Sequence, residues 1–400
     1  MMHTNGLVPA FATILCCLAG ASFAENFTPI AQLDLHPRVY YMNRHFSTPL
    51  TQESLAAGGW LDVRSGSWHG LSLSLSPYTS QRLQGDEDKD GGGLLAPGQK
   101  GYTVLGQAYL QADWNRTSLR LYRQILESPF INSFDVRMTP KTVEAYTLDQ
   151  RFTTNLVLKL SQVEGIKDWN GTTFQSMTDA AGIEEADRPV TLGGLTWSSP
   201  ALGQLQAWDY VCHDFMNIAY AQWDLSLPLS ENMSLLGSLQ GLDQRSLGDE
   251  LGGAFTAAMG GLQGGVKTHG LQVLLAYTLT DNSHDIVNPW GAYQGFTSIA
   301  EEDSNLAGEQ SWALICAYDF TTIGLDGLVF SFNHSEAWVE DSLLSPEQFE
   351  SDFTLDYQPQ TCLKGFACRL RYANVRNSLS TGNLDYDDYR VVFNYVFPIF

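Results

Sequence analysis

Hydrophobic and polar side chains alternate along most of the chain, and the alternation is most regular near its C-terminal end. Residues 364–400 contain two such segments joined by a loop, and the second segment carries Arg390 and Asn394 on its polar face. The aromatic-rich apolar face of that segment consists of Tyr389, Val391, Phe393, Tyr395, Phe397 and Ile399. Because successive side chains of a strand point to opposite faces, the pattern predicts amphipathic β-strands.

The same alternation recurs in earlier parts of the chain, whereas no segment has convincing helical periodicity. The earlier segments are 32–42, 58–65, 70–76, 102–112, 117–124, 141–149, 152–161, 189–199, 202–210, 215–227, 233–240, 252–262, 268–279, 310–321, 326–334 and 349–359. Together with the final pair they predict an all-β chain of about 18 strands.

The connections between these segments alternate between short turns and mostly longer, polar loops. About eight connections are short, and about nine lie near residues 43–57, 77–101, 125–140, 162–188, 211–214, 241–251, 280–309, 335–348 and 377–387. Short turns on one rim and long loops on the other are typical of outer-membrane proteins. The sequence therefore predicts a transmembrane antiparallel β-barrel with short periplasmic turns and long extracellular loops.

Other all-β architectures remain open at this point. The last strand would also suit a soluble sandwich, and many short strands would suit a propeller or a solenoid. No motif repeats at a fixed period, which argues against the repeat architectures. A closed barrel has the further advantage that it pairs every backbone group within lipid and leaves no edge strand.

The N-terminus has the pattern of a signal peptide. Residues 7–21 form an apolar core, and Ala-Ser-Phe-Ala at 21–24 is a small-residue cleavage site. We expect cleavage after Ala24, with a barrel domain over residues 25–400. The region before the core lacks Lys and Arg, so a buried N-terminal helix stays as the alternative. No later apolar run reaches the length of about 18 residues that a membrane helix needs.

The charge balance is acidic, with 44 Asp and Glu against 22 Lys and Arg and a net charge of -22. This balance argues against nucleic-acid binding, which needs a basic surface. The acids cluster in the predicted loops, and we interpret them as a solvated outer face. The alternatives are divalent cations bridging to lipopolysaccharide, or a field that draws cations to the mouth. The clustered acids are Asp86, Glu87, Asp88, Asp90, Asp179, Glu184, Glu185, Asp187, Glu301, Glu302, Asp303, Glu336, Glu340, Asp341, Asp385, Asp387 and Asp388.

No motif indicates an enzyme, a cofactor or a metal site. The chain has no G-x-S-x-G, C-x-x-C, H-E-x-x-H or P-loop, and His213-Asp214 beside scattered serines is a pairing expected by chance. The rival class is a secreted β-rich hydrolase or carbohydrate-binding protein, which would be soluble without detergent. Cys362 and Cys368 flank a predicted turn and could pair in an oxidising compartment, although free thiols are an equal alternative.

Several motifs in a fixed order resemble the OprD-type outer-membrane porins, the substrate-specific channels of Gram-negative bacteria. Residues 303–312, DSNLAGEQSW, resemble the family's D-F-N-x-A-G-E-x-x-W segment. Residues 318–320 with 324–328 resemble its Y-D-F and G-L-P-G-L motifs. Leu-Lys-Gly at 363–365 with the arginines that follow, and Asp387 with Arg390, resemble its last two strands. The resemblance covers most of the chain after residue 24.

The resemblance implies a barrel of 18 strands, monomeric or weakly trimeric, that takes up small water-soluble nutrients passively. In that family a row of inward arginines guides the carboxylate of the solute. By position the row corresponds to Arg44, Arg369, Arg371, Arg376 and Arg390. The segment containing Asp135, Arg137 and Pro140 resembles the family's third loop, which implies that residues 125–140 fold into the lumen and narrow it.

The alternation of side chains bears independently on part of this row. It places Arg369, Arg371 and Arg390 opposite the apolar faces of their strands. An arginine on the lipid face would cost about 2–4 kcal/mol near the midplane, so the lumen is the expected location. The alternative is that these arginines merely pair with acids in the lumen wall.

The expected location is the cell outer membrane. The expected partners are small solutes, outer-membrane lipid and lipopolysaccharide, and the barrel assembly machinery. Leu306 stands where many members of the family carry a base, so the substrate class stays open. A structural or adhesive barrel without conductance is the remaining alternative for the function.

Overall fold

The computed structural model describes residues 32–48, 50–184, 186–339, 348–378 and 385–399. The predicted signal peptide, residues 1–24, lies outside the described residues, as does Phe400. Within these described ranges, twenty β segments form a single sheet. The sheet closes on itself because β1 (Gln32–Phe46) pairs antiparallel with β2 (Thr51–Arg64) on one side and with β19 (Tyr386–Tyr395) on the other.

The strands between β2 and β19 follow one another around the wall in chain order. They are β3 (Leu71–Gln84), β4 (Tyr102–Trp114), β5 (Thr117–Gln124), β6 (Thr142–Arg151), β7 (Leu156–Lys167), β9 (Val190–Ser199), β10 (Gly203–Cys212), β11 (Met216–Ser230), β12 (Met233–Ser246), β13 (Thr256–Thr268), β14 (Leu271–Thr280), β15 (Glu309–Asp319), β16 (Leu328–Val339), β17 (Gln348–Tyr357) and β18 (Phe366–Asn377). Two further segments, β8 (Gln175–Ser176) and β20 (Phe397–Pro398), have two residues each, so eighteen long strands build the barrel.

The prediction of an 18-stranded antiparallel barrel is confirmed, and each predicted strand corresponds to one strand of the wall. The strand ends differ, since several strands continue beyond the region of regular alternation. β2 begins at Thr51 instead of residue 58, and β16 ends at Val339 instead of residue 334. Residues 51–54 are all polar, so alternation disappears there while the hydrogen-bonded ladder to β1 continues.

Helices contribute little to the part of the chain that the structure describes. A four-residue helix, α1 (Met177–Ala180), follows β8, and a 3-10 turn covers Phe320–Ile323. No helix among these residues has both the length and the apolar character needed to cross a membrane.

Short turns form one rim of the barrel, as the sequence predicts. The turn between β13 and β14 is His269-Gly270, and both residues have positive φ, 46° and 84°. Two such residues are typical of tight hairpins whose twist matches that of the strands. A Cβ at Gly270 would lie 2.6 Å from the backbone oxygen of Asp319, so only glycine fits this position.

The outer wall is apolar over the middle of the strands. Leu239, Leu262 and Leu275 are 52%, 54% and 58% exposed, while their neighbours Gln240 and Ala276 on the inner face are buried. Large apolar side chains facing outwards beside buried polar ones are the reverse of a soluble protein and fit a lipid-facing wall.

The lumen contains a hydrophobic core on one side. The ring of Phe130, which belongs to the segment between β5 and β6, packs edge-on against Tyr210 and Tyr220 of the wall. Trp290, from the segment between β14 and β15, donates its indole N–H to the backbone oxygen of Met177 at 2.9 Å. They belong to a hydrophobic core that lies against the wall from β6 to β13.

The cysteines in the described residues are all free, including Cys362 and Cys368. Of the two alternatives for this pair, the structure has free thiols.

Adjacent positions on β12 give a direct test of which face meets lipid. Leu239→Arg places a charge on the outer wall at the middle of the strand, and we expect it to lower the free energy of unfolding by about 2–4 kcal/mol. Ser238→Arg is the matched control, because Ser238 faces the lumen and its hydroxyl donates to Asp224 at 2.7 Å. Reversible denaturant unfolding in lipid vesicles measures the free energy of unfolding of both variants. Equal losses would contradict the assignment of faces.

Candidate functional site

The alternation of side chains brings a group of arginines to one sector of the inner wall. Arg371 of β18 lies opposite Arg390 of β19, which in turn lies opposite Met42 of β1. Arg44 is two residues further along β1, opposite Asp388. The three guanidinium groups of Arg44, Arg371 and Arg390 therefore converge on the same part of the lumen.

Glu301 lies between these three arginines, although it belongs to the long segment between β14 and β15. One of its carboxylate oxygens, Oε2, accepts from Arg44 and from Arg390, the latter at 2.5 Å. The other, Oε1, is 3.6 Å from Nη1 of Arg371. The side chain of Glu301 is only 4% exposed. We call Glu301 with Arg44, Arg371 and Arg390 the arginine cluster.

A second carboxylate, Asp388, balances the cluster from the wall. It accepts from Nε of Arg44 at 2.8 Å and from Nε of Arg390 at 2.7 Å, and its side chain is fully buried. Charges removed from water to this degree are tolerated only when they are paired and hydrogen-bonded. The two acids thus allow the arginines to be packed inside the protein.

The backbone next to Glu301 is held independently of its side chain. The carboxylate of Glu350, on β17, accepts from the backbone N–H groups of Glu301 at 2.8 Å and Glu302 at 2.9 Å. The hydroxyl of Tyr386 donates to Glu302 at 2.5 Å. These bonds fix the segment 281–308 to the wall near β17 and β19.

The segment between β5 and β6 reaches the same sector of the lumen from the side of the long loops. Arg38 of β1 binds both carboxylate oxygens of Asp135, at 2.6 and 2.9 Å, and also donates to the backbone oxygen of Arg137 at 2.5 Å. Arg137 donates to the backbone oxygen of Gly92 at 2.6 Å. Pro140 is buried where this segment approaches β6. Since Phe130 of the same segment contacts β10 and β11, the segment contacts opposite sides of the barrel.

Burial, followed by the nearby Arg390, lowers the pKa of Arg137 to about 10. The guanidinium group of Arg137 therefore keeps its charge at neutral pH. It adds a cation beside the arginine cluster, held on the loop instead of the wall.

A cavity of about 690 Å³ lies below the cluster, towards the rim of short turns. Its basic lining includes Arg369, which binds Asp356 with two hydrogen bonds of 2.7 and 3.0 Å and remains 47% exposed. Arg371 and Arg390 line the cavity at its upper end. Because Arg369 and Arg371 are two residues apart on one strand, the basic groups are spaced by about 7 Å along the pore.

Acids also line this cavity near the turns. Asp326 accepts from the hydroxyl and the backbone N–H of Thr361 and from the backbone N–H of Gln360. The hydrogen bond from the Thr361 side chain is the main reason that the pKa of Asp326 lies below its usual value. The cavity therefore carries fixed charges of both signs.

Arg376 does not join the other predicted arginines, and its assignment to the lumen row is wrong. It shares the even-numbered positions of β18 with Leu370 and Tyr372, which face outwards. Its guanidinium group lies 3.7 Å from Asp387, and its side chain is 45% exposed. Strand alternation excludes it from the face that carries Arg371.

The interpretation of the loop acids as a solvated outer face is wrong for Glu301 and Asp388. Both side chains are buried in the lumen, because the segment 281–308 returns into the barrel and because β19 begins at Tyr386, so that Asp388 belongs to the strand and not to the loop. The sequence did contain a signal for Asp388, which shares one face of the strand with Tyr386 and Arg390. Glu350 and Asp352 likewise alternate with the apolar Phe349 and Phe353.

The comparisons with known proteins agree with this architecture. Residues 25–399 match the family described as outer membrane porin, OprD family. The chain belongs to the OprD family. This OprD-family porin is an outer-membrane channel and not an enzyme. A search of curated proteins found no match.

Solved structures with the same fold accompany the family match. The crystal structure of Pseudomonas aeruginosa OccK9 (OpdG) has a TM-score of 0.84 at 22% identity, covering 95% of this chain and 100% of that chain. The structure of Acinetobacter baumannii OccAB3 has a TM-score of 0.84 at 17% identity, covering 92% of this chain and 99% of that chain. The structure of Pseudomonas aeruginosa OpdK with vanillate has a TM-score of 0.83 at 19% identity, covering 93% of this chain and 100% of that chain. At these identities the likeness shows the fold alone.

Two arginines of this OprD-family porin differ in the burial of their ion pairs: the pairs of Arg390 are buried, whereas the pair of Arg369 is exposed. This difference gives a test of the arginine cluster. Arg390→Ala leaves Glu301 and Asp388 buried without a main partner, and we expect a loss of about 3–5 kcal/mol in the free energy of unfolding. Arg369→Ala breaks the exposed pair with Asp356, so we expect a loss of about 0–1 kcal/mol. Denaturant unfolding in lipid vesicles measures the free energy of unfolding of both variants and of the wild type. A loss for Arg369→Ala as large as that for Arg390→Ala would show that the cluster is not the buried centre of the lumen.

Proposed function

We propose that this channel allows passive, partly selective diffusion of small water-soluble solutes that carry a carboxylate. The observation that carries the proposal is the 690 Å³ cavity, which is lined on one side by Arg371, by Arg390 opposite it, and by Arg369 two residues away on β18. Inward-facing fixed charges set the selectivity of a pore because they face the permeating ion at close range. A guanidinium group also matches a carboxylate geometrically, with two parallel N–H donors.

The row of guiding arginines that we propose is Arg369, Arg371, Arg390 and Arg44, from the short turns towards the long loops. Arg38 contributes from β1, where it lies opposite Asn394, which in turn lies opposite Ala367, two residues before Arg369 on β18. Each of these arginines has an acidic partner in the wall or in a loop. Pairing with an acid lowers the affinity of an arginine for solute anions, which favours transit over retention.

The proposed constriction is the segment 125–140 together with the wall opposite it. Asp135 and Arg137 reach the edge of the cavity beside Arg38. The two in-folded segments fill the apolar half of the lumen, so the path for solutes runs along the charged sector.

A carboxylate substrate is also consistent with a relative of similar fold. The structure of OpdK contains vanillate, whose carboxylate is ionised at neutral pH. At 19% identity this supports a class of solute and not a particular compound. Asp319 and Asp326 also line the cavity near the turns, where their charges would repel an anionic solute from that part of the wall.

The test is single-channel recording of the purified, refolded protein in planar bilayers. We expect discrete openings, and we expect benzoate to reduce the ionic current more strongly than the uncharged benzyl alcohol. The double variant Arg369→Gln/Arg371→Gln should raise the benzoate concentration for half-maximal block by about tenfold, because a charge-assisted hydrogen bond contributes about 1.5–3 kcal/mol.

Arg376→Gln is the matched control, since it removes the same charge from the outer face of the same strand. Its benzoate block should equal that of the wild type. A folded barrel without openings would instead indicate a structural or adhesive role. Openings with equal benzoate block in all three proteins would contradict guidance of carboxylates by the arginine row.

A further inference from the structure

We propose that Glu301 acts as a resident carboxylate, occupying the anion position of the arginine cluster until a permeating carboxylate exchanges with it. The inference rests on the proposed function, because it concerns how the same arginines treat their solute. It assigns a role in specificity to a residue of the 281–308 segment, which is not part of the arginine row.

The contacts of Glu301 are those that a bound carboxylate would make. Its Oε2 accepts from two guanidinium groups, Arg44 and Arg390, and its Oε1 faces a third, Arg371. Three converging arginines around a single carboxylate resemble an anion-binding site filled by the protein's own side chain. Asp388 cannot be exchanged in this way, since it is part of strand β19 and fully buried.

Exchange needs only a side-chain movement of Glu301. Its backbone is anchored by Glu350, which accepts from the N–H groups of Glu301 and Glu302. The side chain has its own separate partners, so the carboxylate can rotate away from Arg390 while the segment stays in place.

The cluster also has capacity for a second carboxylate. Among the described residues, Nε of Arg371 and Oε1 of Glu301 are buried without a hydrogen-bond partner. The distance of 3.6 Å between Oε1 and Nη1 of Arg371 is longer than a hydrogen bond. Arg371 lines the cavity and its side chain is 16% exposed, so its guanidinium group can bind an incoming carboxylate before Glu301 leaves. Asp352, close enough to Arg371 to interact electrostatically, opposes permanent retention of that anion.

The consequence is a weak site that releases its solute. Without Glu301, three arginines balanced in the cluster only by Asp388 would hold an anion more tightly and slow its passage, whereas conduction requires a site that the solute can leave. With Glu301 in place, a solute carboxylate has to displace it. The net binding free energy of the solute is therefore the difference between its own interaction with the arginines and that of Glu301. Loss of the Glu301 charge should therefore strengthen binding of carboxylates instead of weakening it.

The experiment compares Glu301→Gln, Asp303→Asn and the wild type as full-length barrels in planar bilayers, with benzoate as the probe. Asp303→Asn is the matched control, because it removes one charge from the same segment and Asp303 makes no described ion pair with the cluster. We expect Glu301→Gln to lower the benzoate concentration for half-maximal block by about tenfold, the scale of one charge-assisted bond. The reversal potential in a KCl gradient should shift towards anions in Glu301→Gln alone.

Glu301→Asp provides a second readout that retains the charge. Shortening the side chain by one methylene weakens its contact with the arginines, so an intermediate benzoate concentration is expected. If Glu301→Gln does not form a folded barrel, Glu301→Asp against Asp303→Asn decides the question, and equal values overturn the inference.

The outcomes separate this inference from the proposed function. Equal benzoate block in wild type and Glu301→Gln, both conducting, would overturn the role of Glu301 and leave the channel function standing. A change of the same size in Asp303→Asn would also overturn it, since a general field effect would then explain the result. A wild type that neither conducts nor responds to benzoate would overturn the proposed function, and this inference with it.

Discussion

Closure of the β-sheet is the constraint on which the rest of this protein depends. No water is present in lipid to pair with backbone N–H and C=O groups, so an open edge would be costly. β1 removes both edges by pairing with β2 and β19, the latter from Arg38 and Asn394 to Phe46 and Tyr386. Once the sheet is closed, each side chain of the wall faces either lipid or the lumen. The charged residues of the strands must then collect inside.

The two halves of the lumen solve the resulting packing problem differently. On the side of β6 to β13, the in-folded segments supply aromatic rings such as Phe130 and Trp290, and a hydrophobic core excludes water. On the side of β1 and β17 to β19, Arg44 and Arg390 are neutralised by Glu301 and Asp388. The cavity remains along the charged side because ion pairs tolerate water and the apolar core does not.

The fold was predictable from the sequence because strand alternation is a local property, and the arginines Arg369, Arg371 and Arg390 could be assigned to the inner face in the same way. The partners of those arginines could not. Glu301 is eighty-nine positions from Arg390 in the chain, and nothing in a run of loop acids indicates that the segment turns back into the barrel. Arg376 shows the converse, since its spacing in a motif suggested a row from which strand alternation removes it.

The acidic character of the whole chain, with a net charge of -22, is compatible with a basic row because the two act over different distances. Exposed charges in the loops are screened within about 8 Å at physiological ionic strength. Inside the lumen, screening is weaker and individual pairs dominate, so the acids that matter for a solute are the few that touch the arginines. Under the proposed function, selectivity is set by the competition between a solute carboxylate and the protein's own carboxylates for the same guanidinium groups. In our proposal Glu301, whose contacts with the arginines come from its side chain alone, determines how strongly the solute is held.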